Sequence, residues 1–307
     1  MRKKATKTLD IVFQTKTMLL NAKQVENMKI VKLKGGLGNQ MFEYAFGQAW
    51  SEDVVYDASF FEKKRNPKKV VARVYELGFF DISPKLLNKK EMKKYKKNRL
   101  FLSLFGVQTK LPVIKEEENM KFQPALLKTE QGIMDGYFQC AEYFEHIRAK
   151  LLKDFTPKLK PNKQNTAILK DICQTNSVSV HIRRGDYLNF TNIYHICNAD
   201  YYQKAMDYIA GKQKNPKFFF FSEDMEWVKQ NIFCPFACEY VDINRGANSV
   251  WDMWLMKNCK HNVIANSSFS WWGAWLNENS NKIVIAPKEW LVDGRTTDIV
   301  PKEWLRM

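Results

Sequence analysis

The stretch SVSVHIRRGDY, at residues 177–187, joins an alternating apolar segment to two arginines, a glycine and an aspartate. Alternation of valine with serine is typical of a β-strand with one buried face. Further along the chain, KFFFF at residues 217–221 is a continuous apolar run, which is typical of a strand buried on both faces. A segment with helical spacing lies between them. Such strand–helix units predict a parallel sheet covered by helices.

The same alternation continues through the second half of the chain. Further strands are predicted at residues 239–243, 262–266 and 282–287, and helices at residues 199–211, 224–232, 248–259 and 267–277. The first half begins in a similar way, since residues 29–50 have the pattern of a strand, a glycine turn and a helix. The remaining predicted elements of that half are strands at residues 54–57 and 133–139 and a helix at residues 141–155.

A chain of 307 residues is too long for one ordinary core, so two domains are the default expectation. The segment TPKLKPNKQNT, at residues 156–166, is polar and contains two prolines, as is typical of a linker. We therefore predict a disordered N-terminal extension at residues 1–27, an N-terminal α/β domain at residues 28–158 and a C-terminal α/β domain at residues 159–307. Two Rossmann-like domains with a cleft between them follow from this division.

The net charge of +16 indicates an anionic partner, which could be a nucleic acid, an anionic membrane or a phosphorylated small molecule. Much of this charge lies in KLLNKKEMKKYKKNR at residues 85–99, which precedes LFLSLFG at residues 100–106. This pair of segments predicts peripheral contact with an anionic membrane, and a solvated basic face is the alternative. No apolar run is long enough for a transmembrane helix, and residues 1–27 lack a signal-peptide core. We expect a cytoplasmic protein.

Cysteine and carboxylate spacing gives no sign of a metal centre. The six cysteines form no C-x-x-C pair, and the four histidines do not lie at ligand spacing from them, so no zinc site is expected. No D-x-D motif occurs, and a metal-bridged diphosphate site needs such carboxylates. Arginine side chains would supply the positive charge instead. We therefore expect neither a metal nor another cofactor.

Polar segments follow three of the predicted strands, and ligands bind beyond the carboxyl ends of strands in parallel sheets. These segments are HIRRGDY at residues 181–187, SED at residues 222–224 and NSSFS at residues 266–270. Arg183 and Arg184 could each hold phosphate oxygens with a planar fork. Serines at the start of a helix form an anion site, and carboxylates can accept from ribose hydroxyls or from a guanine edge. The set predicts a nucleoside diphosphate site.

Each segment taken alone has a simpler interpretation. Two adjacent arginines often form surface ion pairs, SED is an ordinary helix N-cap, and the aromatics at residues 269–275 fit a core. GGLGNQ, at residues 35–40, is not a dinucleotide fingerprint because Met41 occupies the position of the third glycine. It still brings backbone close to a ligand. Only the convergence of several strand ends on one crevice favours a functional site.

Five motifs then occur in a fixed order: GGLGNQMFEYAFG, GYFQ, HIRRGDY, FSED and ANSSFSWWGAWLN. Together they resemble the α-1,2-fucosyltransferases of glycosyltransferase family 11, over roughly residues 28–290. The resemblance implies a two-domain GT-B fold, GDP-β-L-fucose as donor and a galactose-terminated oligosaccharide or lipid-linked glycan as acceptor. It also implies transfer to the galactose 2-hydroxyl with inversion and without a metal.

The resemblance assigns roles to individual residues. Arg183 and Arg184 would hold the diphosphate, with Arg184 and Asn39 at the reacting centre. His181, Glu223 and Asp224 would lie near the guanosine, and Ser222 is a further implied donor-binding residue. The phosphate side would comprise Asn266, Ser267, Ser268, Phe269 and Ser270. The acceptor side of the cleft would comprise Gly36, Gly38, Asn39, Gln40 and Glu43.

The catalytic base is left open between three groups. Asp186 is the carboxylate nearest to the arginines in sequence, and it could act as the base or orient the arginines by an ion pair. Glu43 lies one helical turn from Asn39 and could face the cleft. A departing diphosphate oxygen could also take the proton.

Two other classes of protein remain as alternatives. A nucleic-acid-binding protein would fit the positive charge, but no recognised RNA-binding motif is present, so nucleic acid is not expected as a partner. A glycan- or nucleotide-binding protein without turnover would fit the same motifs, because fold does not determine function.

Overall fold

The computed structural model describes residues 28–62, 73–87, 90, 93, 111–118, 120–189, 191–193 and 195–307, with the side chain of Asp186 outside the description. The predicted extension at residues 1–27, most of the basic segment at residues 85–99 and the apolar segment at residues 100–106 lie outside the described residues. The predictions made for these three segments therefore stay predictions.

The N-terminal domain contains a five-stranded parallel sheet in the order β3-β2-β1-β5-β4. Its strands are β1 (Lys29–Lys32), β2 (Val55–Asp57), β3 (Leu86–Leu87), β4 (Val113–Lys115) and β5 (Gly132–Asp135), and helix α1 (Leu37–Trp50) connects β1 to β2. The predicted helix at residues 141–155 is only partly right. Two short 3-10 turns precede helix α2 (Arg148–Asp154), because the backbone of Phe144 leaves the helical region while its ring stacks on Trp272.

The C-terminal domain contains a six-stranded parallel sheet in the order β11-β10-β9-β6-β7-β8. Its strands are β6 (Asn176–Ile182), β7 (Pro216–Ser222), β8 (Ala237–Val241), β9 (His261–Val263), β10 (Val284–Ala286) and β11 (Leu305–Arg306). Its helices are α3 (Lys163–Gln174), α4 (Ala199–Lys212), α5 (Met225–Asn231), α6 (Val250–Asn258) and α7 (Ser268–Trp275). The predicted alternation of strands and helices is confirmed, and only β11 and α3 were not predicted.

Strand order reverses once in each sheet, and ligands bind at such switch points. In the N-terminal sheet the chain runs from β1 outward to β3 and then returns to the other side, so the switch point lies between β1 and β5. In the C-terminal sheet it lies between β6 and β9. The fold is therefore α/β with two Rossmann-like domains, as predicted.

Helices α1 and α7 pack directly against each other at the junction of the two domains. The indole nitrogen of Trp272 donates to the carbonyl of Gly38 over 2.9 Å, and the ring of Phe42 lies 4.5 Å from that of Trp271. One hydrophobic cluster consequently contains buried residues from both domains. Large separation of the domains would expose this cluster to water, so we expect the cleft to be largely preformed. The domain boundary near residue 158 stays a prediction.

None of the helices in the described part of the chain is long and apolar enough to cross a bilayer.

Candidate active site

Four motifs follow the four strands that flank the two switch points. The glycine turn follows β1, residues 136–139 follow β5, HIRRGDY continues from β6, and NSSFS follows β9. Hydrogen bonds join the two sides, since the Ser268 hydroxyl donates to the Asn39 side-chain oxygen over 2.9 Å. The segments after β6 and β9 also meet, since the Tyr187 hydroxyl donates to the carbonyl of Asn266 over 3.2 Å.

The two carboxylates after β7 bind the two arginines after β6. Arg183 Nη1 lies 3.2 Å from Glu223 Oε1, and Arg184 Nε lies 3.2 Å from Asp224 Oδ2. The backbone N–H of Arg184 also donates to Glu223 Oε1, over 3.1 Å. These ion pairs are partly exposed and contribute little stability. Their effect is to fix the directions of the two guanidinium groups. The predicted contacts of Glu223 and Asp224 with guanosine stay a prediction.

Trp227, which the sequence reasoning missed, holds Arg184 from another side. The guanidinium carbon of Arg184 lies 3.9 Å from the centre of the Trp227 ring. Asp224 links the pair, because its Oδ1 accepts from the backbone N–H of Trp227 at the start of α5 while its Oδ2 binds Arg184. Arg184 is therefore fixed by an ion pair and by a cation–π contact.

Loss of this stack should lower the transfer activity that the resemblance implies, without unfolding the protein. We expect Trp227→Leu to reduce kcat about 2- to 30-fold, the equivalent of a cation–π contact of about 0.5–2 kcal/mol. Trp227→Phe keeps an aromatic face and should lose less. The measurement is steady-state transfer from the donor, with thermal unfolding of each variant as the control. Equal losses for the two variants would show that the aromatic face does not orient Arg184.

His181, the penultimate residue of β6, is a buried and neutral imidazole. Burial, reinforced by the nearby charge of Arg183, lowers the pKa of His181 to about 3. Its Nδ1 has no hydrogen-bond partner among the described residues, and its ring lies 5.8 Å from that of Phe269. His181 therefore cannot act as a cationic acid near neutral pH, and its contact with the sugar-nucleotide substrate stays a prediction.

Much of the NSSFS segment stabilises its own turn. Ser267 caps α7 by accepting from the Phe269 N–H, and the Ser270 hydroxyl donates to the carbonyls of Ala265 and Ser267. The side-chain amide of Asn266 donates to the carbonyls of His195 and Trp290. The roles predicted for Asn266, Ser267 and Ser270 in binding phosphate stay predictions. The Ser268 hydroxyl binds Asn39 instead of a neighbouring turn.

Two residues predicted to face the acceptor side of the cleft are fully buried instead. Gln40 donates to the carbonyls of Gly35 and Val74 and accepts from the N–H of Glu76, so it holds the segment around residue 75. Glu43 accepts from the N–H of Lys34 over 2.8 Å. Helical spacing relates Glu43 to Asn39, but the Glu43 side chain has no exposed surface.

Burial also changes the chemistry of Glu43. The loss of water around its carboxyl group raises its pKa well above the usual value, against the opposing effect of the hydrogen bond from Lys34. The carboxyl group has no exposed surface, and this burial disfavours Glu43 as the base. Asp186 lies in a 3-10 helix, Gly185–Asn189, and because its side chain lies outside the description its role stays a prediction.

The sequence analysis also did not predict a polar network beside the ends of β7 and β8. Arg245 donates to the carbonyl of Ser222 over 3.3 Å and pairs with Asp242. Asn244 donates to Asp252 Oδ1 over 2.7 Å and exchanges two hydrogen bonds with Asn165 of α3. These contacts hold residues 242–245, which follow β8, next to Ser222 at the end of β7.

Asp252 should make the stability of the protein depend on pH. Burial raises the pKa of Asp252 to about 7, although Asn244 and Arg245 oppose the shift. Because this value exceeds the unfolded one, the free energy of unfolding decreases as pH rises from about 4 through about 7. We expect Asp252→Asn to remove this penalty and to stabilise the protein above pH 7 by an amount on the order of a few kcal/mol.

The measurement is thermal unfolding of both proteins between pH 5 and pH 8, with Asp53→Asn as an exposed control. The difference in Tm between Asp252→Asn and the unchanged protein should grow with pH. A constant difference would show that Asp252 does not titrate in this range.

Among the described residues, no group of three or more His, Cys, Asp or Glu side chains is arranged to hold a metal ion. Independence from metals stays a prediction, which an assay in a chelator tests.

Two Rossmann-like domains, with an arginine pair at the switch point of the second, have the GT-B arrangement, and a family comparison shows that the protein is a glycosyltransferase. The family model "Glycosyl transferase family 11" matches residues 2–307, and the chain belongs to that family. An α-1,2-colitosyltransferase of Escherichia coli is 34% identical over 291 residues, covering 91% of this chain and 98% of the relative. The O-antigen biosynthesis glycosyltransferase WbnK of Escherichia coli is 33% identical over 305 residues, covering 90% of this chain and 99% of the relative.

A mammalian relative matches over a shorter region. The galactoside 2-α-L-fucosyltransferase SEC1 of Bos taurus is 26% identical over 145 residues, covering 44% of this chain and 39% of that protein.

Proposed function

We propose that the protein transfers L-fucose from GDP-β-L-fucose to the 2-hydroxyl of a terminal galactose in a glycan, with inversion and without a metal. The observation that carries this proposal is the arginine pair at the end of β6, which Glu223 and Asp224 orient in a chain of family 11. The galactose acceptor draws support from the bovine relative, whose name specifies a galactoside and the 2-position.

In the proposed reaction the galactose 2-oxygen attacks C1 of fucose from the face opposite the diphosphate. The bond from C1 to the β-phosphate oxygen breaks, and its electron pair stays on the departing GDP. Because Glu43 is buried, the hydroxyl proton passes either to Asp186 or to an oxygen of the leaving diphosphate. Attack from the opposite face converts the β-linked donor into an α-linked product.

Negative charge grows on the diphosphate as this bond breaks. Arg183 and Arg184 would stabilise that charge where it develops, which lowers the barrier more than it strengthens binding of the intact donor. The N-terminus of α7 would support the same charge with its dipole. His181 would add an uncharged hydrogen bond.

Colitosyl transfer is a second candidate, favoured by the 34% identical colitosyltransferase. Colitose is fucose without its 3-hydroxyl, and a site built to bind that hydroxyl discriminates strongly against a sugar that lacks it. Comparison of kcat/KM for GDP-fucose and GDP-colitose, with lactose as acceptor, separates the two. We expect GDP-fucose to be preferred. A preference for GDP-colitose would replace the proposed donor and leave the mechanism unchanged.

A membrane-bound acceptor would suit the basic segment at residues 85–99. We propose peripheral contact with anionic lipid at the cytoplasmic face, close to lipid-linked acceptors. Co-sedimentation with anionic vesicles at low salt, absent with neutral vesicles, is the expected result. Failure to sediment would favour a solvated basic face.

A further inference from the structure

A pair of hydrogen bonds fixes the side-chain amide of Asn39 at the junction of the domains. Its Oδ1 accepts from Gln139 Nε2 over 2.8 Å and from the Ser268 hydroxyl over 2.9 Å. A carbonyl oxygen has two lone pairs, so both are occupied. The Nδ2 group must then point the other way, towards Gly35, where a Cβ atom would lie only 2.6 Å from it. Asn39 therefore presents N–H donors at the glycine turn.

Gln139 reaches Asn39 from an unfavourable backbone turn after β5. The preceding residue, Phe138, has a φ of 51°, a left-handed conformation that costs a bulky residue about 1–2 kcal/mol. Its ring is fully buried and stacks on Phe46 with centroids 3.9 Å apart. Strain of this kind persists only where the surroundings enforce it. In this conformation the turn directs Gln139 across to Asn39 on α1.

Glu116 enforces this turn from the end of β4. Its Oε2 accepts from the backbone N–H groups of Tyr137 and Phe138 over 2.7 and 3.1 Å. The side chain is 8% exposed, and burial raises its pKa although both hydrogen bonds oppose the shift. Gly136 is required beside it, because a Cβ there would lie 2.5 Å from the Glu116 Cβ. A buried carboxylate and a strained residue together maintain the turn.

We propose that Gln139 is a positioning residue: with Ser268 it occupies the oxygen of Asn39 and so directs the Asn39 N–H groups at the oxygen of an anionic leaving group. Glu116 acts one step further back by holding the turn. Gln139 lies on the N-terminal domain and Ser268 on the C-terminal domain, so the amide is set only when both domains are in place. The inference rests on the proposed transfer from a nucleoside diphosphate sugar.

Gln139→Met tests the proposal, because methionine matches glutamine in length and lacks the N–H donor. We expect kcat to fall about 10-fold, as for the loss of one hydrogen bond that acts on the transition state, while the KM for the acceptor changes little. The control is Gln48→Met on α1, the helix that carries Asn39; it removes a donor to the Tyr56 hydroxyl and should leave kcat unchanged.

The decisive comparison repeats Gln139→Met in an Asn39→Ala background. If Gln139 acts through Asn39, Gln139→Met should have almost no further effect on kcat in protein that already carries Asn39→Ala. An equal loss in both backgrounds would overturn the proposal. If Gln139→Met lowers the Tm, Ser268→Ala replaces it in the cycle, since it removes the other donor to the same oxygen.

A spectroscopic readout separates this inference from the proposed function. In protein labelled with ¹⁵N-asparagine, Asn39→Asp identifies the side-chain amide signals of Asn39. GDP should shift these signals in the unchanged protein and should not in Gln139→Met. A shift without any sugar transfer would retain the positioning role and reject the transfer. Signals that respond to GDP identically in both proteins would overturn the positioning role.

Discussion

Arg184→Ala should lower the rate of sugar transfer by about 10²- to 10³-fold, the usual cost of losing one preorganised donor to developing charge. The ion pair with Asp224 and the stack on Trp227 hold the guanidinium before any donor binds, so no reorganisation is needed during the reaction. Because the charge grows only as the bond breaks, kcat should fall more than the donor KM rises. Steady-state kinetics with varied donor concentration measure both.

The fold should survive this substitution, because a partly exposed ion pair contributes at most about 1 kcal/mol. Asp224 retains its other contact, the N-cap of α5. Arg184→Lys is the matched variant: it keeps the charge but loses the planar fork and its stacking, so it should recover only part of the rate. Near-normal turnover of Arg184→Ala with a normal Tm would remove Arg184 from the proposed mechanism.

Gly38→Ala should cost both stability and activity. A Cβ at this position would lie 2.6 Å from the carbonyl carbon of Ser268 and 2.8 Å from the nitrogen of Phe269. Both are backbone atoms, so α1 and α7 must move apart. Overpacking of this kind destabilises by about 1–3 kcal/mol. A displacement of about 1 Å at a reacting centre can lower the rate about 10²-fold. Thermal unfolding and transfer assays measure the two effects.

Gly211→Ala is the matched control for Gly38→Ala. It makes the same chemical change within helix α4, but no atom lies within 4 Å of the added Cβ. Alanine forms helices better than glycine, so this variant should gain up to about 1 kcal/mol and keep full activity. If Gly38→Ala behaved like its control, helix propensity would outweigh the contact, and the close approach of α1 to α7 would not constrain the site.

The order of strands and helices in the second half was predictable because periodicity reports burial. The run KFFFF has no exposed alternation and forms the central part of β7, with four consecutive phenylalanines that are fully buried. The same reasoning predicted one helix at residues 141–155, where the structure has two 3-10 turns before a shorter helix. The aromatic residue Phe144 packs on a helix of the other domain, and this tertiary contact decides its backbone more than helical spacing does.

The residue types of the site were predictable, but several of their contacts were not. Two arginines and two carboxylates at strand ends indicated a nucleotide site. Which arginine pairs with which carboxylate depends on the register of β6 with β7, and the sequence alone does not give that register. Glu43 has helical spacing from Asn39, but spacing gives no information on what covers a side chain. Gln139 was visible within GYFQ, and only the strained turn at Phe138 shows its direction.

The most direct test of the central claim is one assay with purified protein, GDP-fucose and lactose in the presence of EDTA. Mass spectrometry and NMR would identify the product. The account predicts an α-linked fucose on the galactose 2-position, formed at the same rate with and without EDTA. GDP-fucose that binds but is never transferred would contradict it and favour a binding protein. A β-linked product, or activity that EDTA abolishes, would contradict the inverting, metal-independent mechanism.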